Sequence, residues 1–382
     1  MGAHVRAREL LRPRIKPEYV PFRTFDGNVR IAATIHGIGA EIEDSGGWLW
    51  TLVSALDGTR SPDDVLTVVT CEHPEVSEIE ATEAMQQLLE AGFLEDFGAC
   101  PPAQLSDRER ERYSRSMLFF RWIDSMPRAN SWDIQVGLRE SRVLLIGVGG
   151  VGGSVAQGLV ATGVGHLHCV DADDVELSNL NRQVLYREDD IGKSKVDCAV
   201  AHLRELNSDV EITGERRWVD GQADIAELLR PGYDLLALCA DQPRLIRRWA
   251  NRACLAAGVS WVSGGYHGPL ASAGVYAPGQ GACWECLHDQ EGERAQASLP
   301  AGIPLDALEP QLPWHPVNAV SAGLTGNLLT HAALALLTGA PSIEPGFRFG
   351  MNLALPGEPV LERLPRRPGC PACGGSAQPD AP

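Results

Sequence analysis

The chain has 382 residues, 44% hydrophobic and 22% charged, enough for a buried core and for one large or two unequal domains. Its net charge of −17 argues against a nucleic-acid partner, because phosphate backbones are met by basic faces. There is no apolar run of about 18 residues and no signal-peptide core, so the expectation is a cytoplasmic protein without a membrane partner.

Residues 1–24 carry Pro13, Pro17 and Pro21, start basic with Arg6, Arg8, Arg12, Arg14 and Lys16, and are expected to be a mobile lead-in. Residues 25–98 are predicted to form a small α+β domain of winged-helix-like order. An extended stretch over 28–42 comes first, then an apolar helical run from Trp48 to Leu56. Ser61-Pro62-Asp63-Asp64 is a helix start, with a capping serine, proline at the first position and acids at the positive end. Ile79, Met85, Leu88 and Leu89 mark a third helix, and Phe93-Leu94 a closing strand. Residues 26–99 hold fifteen acidic side chains against Arg30 and Arg60. That face is either a solvated surface or a dock for a basic peptide.

Residues 99–111 read as a linker and 112–364 as the second domain. Strands predicted at 142–146, 166–170, 211–219, 233–240 and 259–263 alternate with helices, which implies an α/β, Rossmann-like, mostly parallel sheet. Residues 288–316 read as a long polar loop, followed by a helix over 317–338 and strands at 347–355 and 360–364. Residues 365–382 form a proline- and glycine-rich tail.

Between the first of these strands and its helix lies Gly147-Val148-Gly149-Gly150-Val151-Gly152. Such glycines let the backbone turn tightly and approach a phosphate at a helix N-terminus. Asp171 ends the next strand at a spacing suited to ribose hydroxyls. These features alone fit NAD as well as ATP, so an NAD-dependent oxidoreductase stays open at this point. Two Cys-x-x-Cys pairs, Cys283/Cys286 and Cys370/Cys373, suit a closed structural Zn²⁺ site that clips the tail to the sheet, with two disulfides or free thiols as the alternative. The other cysteines are scattered, and none falls in 287–316. Cys169 and Cys239 read as inert core residues, Cys100 as linker. His166, His168, His315 and His331 read as structural.

Asp171-Ala-Asp173-Asp-Val-Glu-Leu-Ser-Asn179-Leu-Asn181-Arg182-Gln183, followed by Asp190-Ile-Gly-Lys-Ser-Lys195, resembles the ThiF/E1-like adenylyltransferases. The resemblance implies ATP-dependent activation of a carboxylate on a peptide or a small ubiquitin-like carrier, and argues against NAD. It places Gly147, Gly149, Gly150, Gly152, Asp171, Asp173, Asn179, Arg182, Gln183 and Lys195 around ATP, with Arg182 and Lys195 on the triphosphate. It makes Asp241 a Mg²⁺ ligand, although Gln242 stands where asparagine is common. Arg112-Tyr113-Ser114-Arg115-Ser116 resembles a segment whose second arginine, here Arg115, serves the neighbouring subunit of a homodimer; Ser116 departs from the usual glutamine. With no cysteine in 287–316, no thioester step is expected on this chain.

The order of elements over 25–98 resembles, more distantly, the PqqD-like peptide-recognition domains of ribosomal-peptide biosynthesis. The expected function is therefore adenylation of a precursor peptide or carrier, with leader capture by the first domain. The alternatives are a non-catalytic leader-binding partner of another enzyme and a sulfur-carrier adenylyltransferase.

Overall fold

The computed structural model describes residues 5–32, 39–128, 130–300, 302–308, 312 and 315–374. They fall into two compact units. One runs to Gly137 and includes Gly339–Ser342; the other comprises Leu138–Thr338 and the chain from Ile343.

The first unit pairs β1 (Pro13–Ile15) with β5 (Leu94–Asp96), and β2 (Val20–Arg23), β3 (Val29–Ala32) and β4 (Gly39–Ile42) in an antiparallel meander. Helices α1 (Trp48–Ala55), α2 (Pro62–Glu72) and α3 (Glu78–Glu90) lie between β4 and β5 in sequence. Ser61 and Ser77 cap α2 and α3, each accepting an amide three residues on while that residue's carboxylate reaches back. Val29, Ile31, Leu52, Val65, Met85 and Leu89 form a core that excludes water completely. The middle of the stretch expected to be extended, residues 33–38, lies outside the described residues.

Two boundary expectations are corrected. Residues before 25 are not a mobile lead-in where they are described, because they supply β1 and β2. Pro13 opens a strand and Pro21 sits on an edge strand, positions where a missing N–H breaks no ladder. Helix α4 (Asp107–Ile123), placed mostly in the second domain by the sequence, belongs to the first unit. Lys16 Nζ donates to the carbonyls of Arg121 and Asp124 at 3.2 and 3.0 Å, and Tyr19 donates to Trp122 O. Arg121 pairs with Glu18 and, at 2.8 Å, with Glu95. Helix α5 (Asp133–Glu140) spans the division between the units.

The second unit carries an eight-stranded sheet. Its strands are β6 (Arg142–Ile146), β7 (His166–Asp171), β8 (Glu211–Arg216), β9 (Leu235–Leu238), β10 (Ser260–His267), β11 (Leu270–Tyr276), β12 (Phe347–Asn352) and β13 (Pro359–Arg363), in the spatial order 13-12-11-10-9-6-7-8. The run from β10 through β9 and β6 to β8 is parallel; β11, β12 and β13 add antiparallel strands at one side. Helices α6 (Gly150–Thr162), α7 (Lys195–Leu206), α8 (Gln222–Leu229) and α9 (Ile246–Ala257) make the crossovers. The chain leaves β6 toward β7 and later returns to β6's other side as β9. That reversal opens a crevice at the carboxyl ends of the strands. Helices α10 (Trp284–Ala297) and α11 (Ala319–Thr338) follow the hairpin. Helix α11 is apolar along its length because it packs against α6, β10 and β11.

The long loop predicted over 288–316 is corrected over its first part, where α10 runs through Ala297. Its Glu, Gln, Arg and Ala are strong helix formers despite their polarity. Glu95 is 5% exposed and holds Arg14, Arg121 and Ser131 at once. Replacing Glu95 with alanine leaves Arg121 buried beside a lost partner, and should cost the first unit about 3–5 kcal/mol in urea unfolding.

Candidate active site

The crevice is a cleft of about 1230 Å³ within the second unit. Its floor is the turn after β6. Gly147 has φ +90°, and a Cβ there would stand 2.6 Å from Ala240 N at the end of β9. A Cβ on Gly152 would lie 1.8 Å from Gly147 O, so the turn folds only with hydrogen at that position. Gly149 differs: its open side faces Gln183 Nε2 at 3.6 Å. The first bond within α6 is Gly153 N–H to Gly149 O at 2.7 Å, so the amides before it have no partner in the helix and present its positive end.

Neighbouring side chains brace this turn. Asp171 accepts Val148 N–H at 2.8 Å and Asp173 N–H at 2.9 Å. Tyr186, its hydroxyl kept neutral by burial, donates to Val148 O at 2.7 Å. Asn179 is buried and accepts Glu176 N–H at 3.1 Å. Gln183 is 5% exposed, and its Oε1 has no hydrogen-bond partner. A buried amide oxygen without a partner beside an open glycine cradle is what a polar ligand would complete.

Arg182, Lys195, Arg217, Arg244 and Arg247 line the cleft, and three of them come from well-separated segments. Lys195, buried at the start of α7, meets Asp173 at 2.8 Å. Arg182 donates to Ser178 O at 2.9 Å and Asn181 Oδ1 at 3.0 Å, and also bonds the side chain of Tyr266. Arg247, on the first turn of α9, brings Nη2 to 3.4 Å from the Cβ position of Gly265. Asp241 is exposed at the end of β9 and lines the same cleft.

Of the sequence-predicted residues, Gly147, Gly149, Gly150, Asp171, Asp173, Asn179, Arg182, Gln183, Lys195 and Asp241 line one cavity. Gly152 lies beneath it as a packing position. Arg115 is exposed on α4 in the first unit. Arg244, Arg247, Trp218 and Tyr266 also line the cleft and were not singled out by the sequence reading. Arg244-Leu-Ile-Arg247, opening a helix just after Asp241, was the available signal. His315, read as structural, is exposed and lines the cleft with its ring edge toward Tyr266, centroids 6.3 Å apart. Burial pushes the thiol of Cys169 up to about 12, consistent with an inert core residue, whereas Cys239, expected in the core, is half-buried just past β9 and lines the cleft.

The sequence pattern of the ThiF family matches residues 113–372. The chain belongs to the ThiF family. Molybdopterin-synthase adenylyltransferase of Escherichia coli is 33% identical over 273 residues, 71% of this chain and 99% of that protein. The sulfur carrier protein ThiS adenylyltransferase of the same species is 30% identical over 275 residues, 71% of this chain and 98% of that one. This ThiF-family chain is accordingly an adenylyltransferase. The crystal structure of E. coli MccB with AMPCPP and MccA shares its fold with TM-score 0.65 at 21% identity, over 95% of this chain and 99% of that one.

Away from the cleft, Cys283, Cys286, Cys370 and Cys373 converge. Their sulfurs all lie within 4.8 Å of one another, with separations of 3.7, 3.7 and 3.5 Å for 283–286, 283–370 and 286–373. A tetrahedral ion with bonds of about 2.3 Å to sulfur sets edges near ~3.8 Å, whereas a disulfide needs about 2.05 Å. The four cysteines can therefore hold a metal ion such as zinc.

Two substitutions in the glycine turn should separate cleanly. Gly152→Ala should destabilise by about 3 kcal/mol or more through overpacking, while Gly149→Ala should stay within about 1 kcal/mol of the parent, both read by urea unfolding.

Proposed function

We propose that the cleft binds ATP and Mg²⁺ and that a substrate carboxylate attacks the α-phosphorus there. An oxygen–phosphorus bond forms to the carboxylate, the α–β anhydride bond breaks, and pyrophosphate leaves with the bonding pair. The observation that carries this reading is that Lys195, Arg182 and Arg247 line the same cleft as the helix end at Gly149. Lys195 would exchange Asp173 for a phosphate oxygen. Gln183 and Asn179 would add neutral contacts, and Asp171 would keep the turn in place beside the ribose. Asp241 would hold Mg²⁺, which when bound offsets phosphate charge. The direct test is substrate-dependent exchange of labelled pyrophosphate into ATP. Arg182→Ala and Lys195→Ala should each lower exchange by about 10²–10³. Unchanged exchange in both variants would refute the assignment.

We further infer that the substrate is a peptide captured through the first unit, which would act as a PqqD-like domain. The β2–β3–β4 meander has β2 and β4 as edges, and Val20 and Phe22 stand exposed together on β2. A strand added at such an edge gains main-chain hydrogen bonds with side-chain selection, and the acidic surface favours a basic segment. The fold likeness to MccB runs through this unit, and crystal structures of MccB carry MccA. A sulfur carrier is the second reading, favoured by the named substrate of the ThiS adenylyltransferase. Exchange driven by a short basic peptide rather than by a carrier ending in two glycines would decide for the first.

The active form in this reading is a homodimer in the cytoplasm, with Arg115 of one subunit serving the cleft of the other. Mixing Arg115→Ala and Lys195→Ala chains, each inactive alone, should then restore part of the exchange. The cysteine cluster would hold Zn²⁺ in a closed structural site. Elemental analysis should find about one zinc per chain, lost in Cys370→Ser.

A further inference from the structure

A set of fully buried polar groups outside the cleft lies between the cysteine cluster and α9. Glu285 sits inside the Cys283–Cys286 knuckle and is 0% exposed. Its carboxylate accepts from Arg252 Nε and Nη2 at 3.0 and 2.9 Å and from Asn251 Nδ2 at 3.1 Å, and Arg248 Nε stands 3.6 Å away. Asn251 is fully buried as well. Its Nδ2 also reaches Cys283 Sγ at 3.6 Å, and its Oδ1 accepts Trp284 N–H at 3.1 Å. A four-cysteine metal site requires none of this. Burying a carboxylate costs several kcal/mol unless partners compensate, so the arrangement needs a reason beyond metal binding.

Helical geometry supplies one. Arg248, Asn251 and Arg252 all reach Glu285 from α9, within an arc of about 100° on which Asn251 lies nearest to Arg247. Arg247 lies about 100° round the helix from Arg248 and lines the cleft, as does Arg244 one turn earlier. The two faces belong to one rigid rod. Rotation of α9 that loosened Glu285 would withdraw Arg247 from Gly265 and the phosphate cradle.

We infer that Glu285 and Asn251 are positioning residues that lock the rotation of α9 to the cysteine cluster and so aim Arg247 into the nucleotide cleft. The inference rests on the reading of that cleft as an ATP site. It makes the knuckle more than a tail clamp, since its integrity is felt as nucleotide affinity some distance away.

The test is a double-mutant cycle on the full chain, with Mg-ATP binding read by calorimetry and metal content by elemental analysis. Glu285→Gln should weaken Mg-ATP about tenfold when Arg247 is present, and by less than about twofold in an Arg247→Ala background. Metal content should match the parent in all four forms. Equal weakening in both backgrounds, or none in Glu285→Gln, overturns the coupling. If Glu285→Gln fails to fold, Arg252→Lys keeps the charge but loses the two-pronged contact, and must show the same non-additivity. A parent chain that does not bind Mg-ATP overturns the nucleotide reading and this inference with it. Binding by the parent with additive losses overturns the coupling alone.

Discussion

Everything in the cleft answers to one constraint: a chain of net charge −17 must stabilise concentrated negative charge at a single point. Its lysines are few. Lysine occurs only at positions 16, 193 and 195, and Lys195 is held buried at the start of a helix. A buried ammonium needs a partner to remain charged, and Asp173 at 2.8 Å provides it. Asp173 is half-exposed while Lys195 is not, so an incoming anion can replace the carboxylate without the lysine moving. The arginines need no such guard, because guanidinium stays charged in almost any setting. The acidic side chains of the first unit and the cations set among carboxylates in the cleft of the second are separate arrangements, each local to its own unit.

The turn from Gly147 to Gly152 makes the second contribution by having no side chains. Gly147 and Gly152 are required by packing, as the 2.6 and 1.8 Å clashes of a notional Cβ show, whereas Gly149 is open. A glycine-rich motif thus mixes two kinds of necessity. The sequence reading grouped these glycines as ligand contacts. Only the coordinates distinguish the one beneath the turn from those that border the cavity.

Legibility followed physical cause. Strand β6 was read to the residue because Arg142–Ile146 is an apolar run ending at a glycine turn, and both periodicity and turn chemistry agree there. Strand β11 was missed: Leu270–Tyr276 is mostly Ala, Ser and Gly, which carry weak strand preference and are chosen here to pack beneath α11. Helix α10 was read as loop from residue 288 because its polar run gives little apolar stripe. The residues before 25 look mobile in sequence because they are rich in proline, although the first position of a strand and an edge strand both tolerate it. Arg247 escaped notice for a different reason. Nothing in sequence says which of two adjacent arginines faces a cleft; that depends on the rotation of α9, fixed by Glu285 and Asn251 some forty positions downstream and four positions on.

The two units differ in the kind of constraint their sequences meet, and the adenylyltransferases named above are matched over 98–99% of their own length by about 71% of this chain. The MccB fold matches 95% of the chain at only 21% identity. A small sheet with three helices requires a pattern of apolar positions, which many sequences satisfy. The cleft requires particular chemistry at particular backbone points: hydrogen at Gly152, a carboxylate reaching Val148 N–H, an ammonium beside Asp173. Substitution there is not absorbed by neighbours. That contrast explains why the second unit could be recognised from long runs of residues, and the first only from the order of its elements.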